Sequence, residues 1–178
     1  MKTKNFLLTG ALLIVALFSV NGVMAADPIA TQSTANVTIR LHEILSIVVQ
    51  EPTVLLEYKT ASDYNNGSVN KTMSEHLLVN STGPFTVTVK TLTDFKKDED
   101  NSISKDEVKI TATRTDNSPG SLSTVVLNET ATNLITSTKG GFDLKYDVNY
   151  NHKFKDGEAF TKRAGDYKAD VTYEITAS

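Results

Sequence analysis

Gly165-Asp166-Tyr167-Lys168-Ala169-Asp170-Val171-Thr172-Tyr173-Glu174-Ile175-Thr176-Ala177-Ser178 is the stretch on which the reading of the fold turns. From Tyr167 on, every second residue is apolar or small (Tyr167, Ala169, Val171, Tyr173, Ile175, Ala177), and Lys168, Asp170, Thr172, Glu174 and Thr176 stand between them. Side chains of a strand point alternately to opposite faces, so this stretch has one apolar and one wet face. That is the pattern of a half-buried strand in an antiparallel sheet. It predicts a terminal strand closing a sandwich whose other strands come from the sequence before it.

Further from that end the same period recurs. Phe142, Leu144, Tyr146, Val148 and Tyr150 alternate with polar neighbours, as do Val108, Ile110 and Ala112, and Phe85, Val87 and Val89. Shorter apolar runs fall at 122–127, 134–135, 77–79 and 54–58. Val37, Ile39 and Leu41 alternate with Thr38, Arg40 and His42, and a more continuous run over 44–49 follows, which predicts one bent strand or two short ones. Between these runs lie Asp63-Tyr64-Asn65-Asn66-Gly67, Ser81-Thr82-Gly83-Pro84 and Asp116-Asn117-Ser118-Pro119-Gly120, all turn chemistry. Helical spacing is nearly absent beyond the leader. About eight or nine short strands at roughly ten-residue intervals predict an all-β, immunoglobulin-like antiparallel β-sandwich.

The opening residues read as a targeting segment. Lys2 and Lys4 precede a nearly unbroken apolar run from Phe6 to Val20, and Val23-Met24-Ala25 offers small or modest residues for cleavage. This is the pattern of a secretory signal peptide, too short for the ~20 residues of a membrane-spanning helix. The expected organisation is a signal peptide over 1–25, an amino-terminal extension over 26–36, and one sandwich domain over 37–178. Of the 178 residues, 153 remain after cleavage, enough for one core. Without Lys2 and Lys4, 16 of the 18 basic side chains face 21 acidic ones, a net charge of −5 that disfavours nucleic acid as a partner. Cysteine is absent although an exported protein could form disulfides.

Candidate chemistry is sparse. Asp98, Asp100, Ser104 and Glu107 fall at positions three, five, nine and twelve of a calcium loop aligned on Ile103. Lys96 occupies the first ligand position and Asn101 the turn position that wants glycine. Asp98 to Glu107 therefore reads first as a solvated acidic loop. A monomeric secreted binding module with a calcium-stabilised loop here is the alternative reading. His42, His76 and His152 have no second ligand at metal spacing and read as surface or structural histidines. No nucleophile motif or phosphate loop is present, so a non-enzymatic role without a cofactor or metal is expected. Five Asn-x-Ser/Thr triplets, beginning at Asn36, Asn66, Asn70, Asn80 and Asn128, matter only where the source glycosylates such sites, and the short leader looks bacterial.

Both ends of the exported chain resemble the structural subunits of bacterial chaperone-usher fimbriae, especially the cysteine-free colonisation-factor and common-pilus types. The residues that carry the resemblance are Gly165, fourteenth from the end, with the alternating Tyr167, Ala169, Val171, Tyr173 and Ile175, and Ala35-Asn36-Val37-Thr38-Ile39-Arg40-Leu41 running into 44–49. The resemblance implies a sandwich lacking one strand, whose groove is filled first by a periplasmic chaperone and then by the extension of the next copy. Backbone hydrogen bonds would give affinity and alternate side chains the register. It implies Ile29, Ala35 and Val37 as groove-filling residues, with Ile39, Tyr167, Val171, Tyr173 and Ile175 as further residues of the strand-exchange interface. It also implies a head-to-tail polymer at the cell surface or outside it, reached through the periplasm if the source is Gram-negative.

Overall fold

The computed structural model describes residues 32–115 and 117–178. Residues 1–25, expected to be a leader, and Ile29 lie outside the described residues. Contacts divide the chain into two units, Met1–Ile39 and Arg40–Ser178. In the first, residues 32–39 carry no regular secondary structure and are exposed. The strand expected over 37–41 is therefore not formed. Alternation marks which side chains a strand would bury, but a ladder also needs a neighbour, and none of these residues has one among the described residues.

Among its described residues the second unit holds eleven strands and little helix. They are β1 (Leu45–Val49), β2 (Ser68–Ser81), β3 (Phe85–Lys90), β4 (Phe95–Lys96), β5 (Ser102–Ile103), β6 (Val108–Arg114), β7 (Ser121–Leu122), β8 (Thr124–Val126), β9 (Thr132–Ser137), β10 (Gly141–Lys153) and β11 (Thr172–Ala177). One antiparallel sheet runs β1-β2-β10-β6-β8 and a second β11-β3-β9-β7, with β4 and β5 as a separate hairpin. The two sheets pack face to face on a core that includes Leu77, Val79, Phe85, Val87, Ile110, Leu134, Ile135, Tyr146 and Val148, each essentially without solvent exposure. The all-β sandwich pattern is thus present.

Several elements differ from the sequence reading, each for a local reason. The run over 122–127 is two strands in different sheets, β7 on β9 and β8 on β6, with the chain changing layers at Ser123. The stretch read as a turn at Asp63 contains a short helix, α1 (Ala61–Asn66). Thr60 caps it, accepting at Oγ1 from the Asp63 N–H at 3.2 Å, while Asp63 Oδ2 accepts from the Thr60 N–H at 2.7 Å. That reciprocal box and Gly67 at φ 62° explain why six turn-forming residues wind into helix.

β2 is far longer than its apolar residues suggest because its first half is polar. It also carries a bulge: Leu77 pairs with Tyr146 but Met73 with Val148, so two more residues sit on β2 than on its partner. Glu75 absorbs the excess at φ 50°, its N–H donating to Asp147 Oδ1 at 2.7 Å. The bulge turns His76 inward beside Leu77. β11 starts at Thr172 rather than Tyr167, because Lys168 instead pairs with Lys96 of the β4–β5 hairpin.

Candidate interaction site: one edge of the sandwich

The two long edges of the sandwich are finished differently. At the β7–β8 edge, where β8 hydrogen-bonds only to β6 and β7 only to β9, Val125 and Leu127 are buried, Leu122 is half-buried and Val126 is exposed. At the other edge, β1 hydrogen-bonds only to β2 and β11 only to β3. There β1 and β11 approach within 8 Å, Cα to Cα, without a ladder between them. The inward side chains on this edge, Leu45, Ile47 and Val49 of β1 and Val171, Tyr173 and Ile175 beside and within β11, touch the core but stay half-buried. Their immediate neighbours on β2 and β3, Val79 and Val87, have no exposure at all. A strand whose apolar face is packed while its outer ladder is open is the arrangement that natural sheets usually blunt or cover.

Residues 51–59 prolong β1. They alternate as a strand does, with Val54, Leu56 and Tyr58 half-buried and Leu55, Glu57 and Lys59 exposed. Val54 and Leu56 pack on the core. Yet no strand ladder joins these residues to anything among the described residues. The sequence reading placed a strand at 54–58; the side chains keep its period while the backbone has no ladder partner. The segment is held at its ends. The Gln50 N–H donates to the His76 carbonyl at 2.9 Å, and the Tyr58 hydroxyl lies 2.7 Å from His152 Nδ1.

Two polar chains run under this edge. Tyr173 of β11 shares a 2.6 Å hydrogen bond with the Tyr150 hydroxyl of β10, which lies 2.8 Å from His76 Nε2, linking the sheets through the core. Burial pushes the Tyr150 hydroxyl up to about 12, raises that of Tyr173 further, and holds the His76 imidazole below its ordinary value. The second chain joins Tyr58 to His152 and Glu107, with His152 Nε2 at 3.5 Å from Glu107 Oε2.

The other sequence candidates fall as follows. Tyr167 is half-buried, its hydroxyl donating to the Arg163 carbonyl at 2.9 Å. Ala35 is exposed, and Val37, Ile39 and Leu41 are 79%, 82% and 89% exposed. The acidic loop does not gather its carboxylates. Asp98 is occupied within the β4–β5 turn, Oδ1 accepting from the Asp100 N–H at 3.2 Å and from Asn101 Nδ2 at 2.5 Å. Asp106 pairs with Lys155 at 3.1 Å, and Glu107 points inward to His152. Among the described residues no group of three or more His, Cys, Asp or Glu is placed to hold a metal, and no helix is long and apolar enough to cross a membrane. His42 is exposed, whereas His76 and His152 are buried.

Sequence reasoning missed Val54, Leu56 and Tyr58 as edge residues, and missed both polar chains. The first were legible as alternation. The second join residues 23 to 94 positions apart, and no local pattern signals them. No protein-family model matches the chain, and no curated protein matches it either.

Proposed function

We propose that the chain is a non-catalytic structural subunit, exported by its leader, that builds a cell-surface fibre or matrix by β-strand addition between copies. The observation that carries this is a complementarity. One edge of the sandwich presents a half-covered apolar row between β11, laddered on one side only, and residues 51–59, which have no ladder among the described residues. The same chain offers an unpaired strand pattern, Ala35, Val37, Ile39 and Leu41, with its apolar side chains in solvent. A strand added at that edge gains backbone hydrogen bonds and fits alternate side chains into the row. The contact is heterologous, and with a rotation that does not close on itself it propagates into a fibre. The immunoglobulin-like arrangement with one strand supplied by a neighbour, and a periplasmic chaperone that covers the edge before assembly, belong to this reading.

The test is assembly by the full chain, exported with its own leader. The wild type is expected to form filaments visible by negative-stain electron microscopy. The triple variant Val37→Ser, Ile39→Ser, Leu41→Ser is expected to be exported, folded and monomeric, because these side chains lie outside the core. A wild type that stays monomeric, or a triple variant that assembles undiminished, contradicts the proposal.

A further inference from the structure

Glu107 and His152 are the buried titratable pair whose facing atoms have no other hydrogen-bond partner. Their side chains are 2% and 6% exposed, and Glu107 Oε2 and His152 Nε2 face each other at 3.5 Å. The pair is roofed by Tyr58 and Phe154, whose rings lie 5.6 and 4.5 Å from the imidazole, and the Tyr64 ring of α1 packs tilted against Tyr58 at 5.3 Å. The pair can hold two ionisable protons, one or none. Two leave a buried positive charge and none a buried negative charge; one leaves the pair neutral overall, and burying net charge is costly. With one proton, His152 Nδ1–H donates to the Tyr58 hydroxyl, which in turn donates to the Gly67 carbonyl at 3.2 Å. That carbonyl also accepts from the Phe154 N–H at 2.9 Å.

We propose that Glu107 and His152 form a single-proton clasp that fixes Tyr58, and so the carboxy-terminal end of the unladdered segment 51–59, with constant strength across mildly acidic pH. That the clasped segment is a wall of the assembly site rests on the function proposed above. The two groups shift oppositely, as the clasp requires. Burial lowers His152 to about 4 from its ordinary 6.5, and burial, then Glu158, raises Glu107 above its ordinary 4.5. For His152 the opened form binds the extra proton, so acid favours opening between those two values. For Glu107 the closed form binds it, so opening is favoured as pH rises above 4.5. Where both act, the effects cancel.

The surrounding charges are accounted for. Asp106 of the same turn pairs with Lys155, and Glu158 pairs with Lys162 at 3.4 Å. Lys105 faces Asp94 and Glu129, and Asp63 of α1 is tied up in its capping box. Lys155 and Lys162 lower Glu107 less than burial raises it.

The experiment is amide hydrogen exchange at Phe154 in the full chain, divided by the intrinsic rate and compared at about pH 4.5 and about pH 5.5. For the wild type the opening equilibrium is expected to change by less than about threefold over that unit. E107Q leaves the His152 response alone and is expected to open up to about tenfold more at the lower pH, whereas H152Q leaves the Glu107 response and is expected to show the opposite slope. A wild type that itself changes tenfold, or variants that both stay flat, overturns the clasp. If one variant fails to fold, the slope of the other still decides. The exchange profile reads the clasp whether or not copies assemble. Filament growth by the same proteins reads the link to assembly: opposite exchange slopes with identical growth would sever that link.

Discussion

At the residue scale, burial separates side chains that hold the sandwich together from those that the proposed assembly would cover. Leu77 sits at zero exposure between β1 and β10, so Leu77→Ala removes covered methyl groups and leaves a cavity. Such changes cost about 2–5 kcal/mol. Ile175, equally apolar but half-buried on β11, forfeits less, and Ile175→Ala is expected to cost under about 1.5 kcal/mol of monomer stability. Urea denaturation of both variants checks the contrast, with the additional expectation that Ile175→Ala impairs assembly more than stability. Equal losses would mean that the β11 edge is as finished as the middle of the sheet. The histidines show how much of such detail a sequence conceals. His76 comes to the core only because a two-residue bulge at Glu75 turns it in. His152 lies on the inward face of the regular β10 alternation, yet its partners Tyr58 and Glu107 come from segments that only the fold brings together.

At the scale of elements, legibility follows from whether a strand is paired with its apolar face fully buried. The alternations at Phe85 and Val108 predict β3 and β6 almost to the residue, because each lies inside a sheet and shows one dry face. The one at Phe142 finds β10 but stops three residues short of its end, and Phe142 itself is exposed beside a register shift. The polar first half of β2 hides its strand, since β10 supplies its pairing without demanding apolar residues. The row at 37–41 errs in the other direction: its period is clean, but a ladder is a property of two strands, and no second strand lies beside it among the described residues. The connections are also specified closely. Gly140, between β9 and β10, has no room for a side chain, because a Cβ there would lie 2.4 Å from the Ser81 carbonyl oxygen and 2.7 Å from the Gly83 nitrogen. Gly140→Ala must therefore push two backbone segments apart, and a loss of about 2 kcal/mol or more is expected in thermal or urea unfolding. Gly157→Thr makes a useful comparison in the same experiment, since that glycine meets no atom within 4 Å and only its φ of 80° opposes a side chain.

At the scale of the whole molecule, the sandwich is asymmetric in how it ends. Its β7–β8 edge is also without an outer ladder, β8 pairing only with β6 and β7 only with β9, but there Val125 and Leu127 are buried. Its β1–β11 edge has backbone on both sides available for pairing, over an apolar row that the chain itself covers only halfway. The terminal stretch that announces the fold in the sequence is therefore an edge, with one face on the core and one ladder open. The measurement that tests this most directly is backbone amide exchange of β11, compared between the isolated monomer and the assembled protein. The account predicts that the Thr172–Ala177 amides facing away from β3 exchange nearly as fast as in an unfolded chain in the monomer, and slow by at least about 100-fold on assembly. Slow exchange of those amides already in the monomer, or no change on assembly, would contradict it.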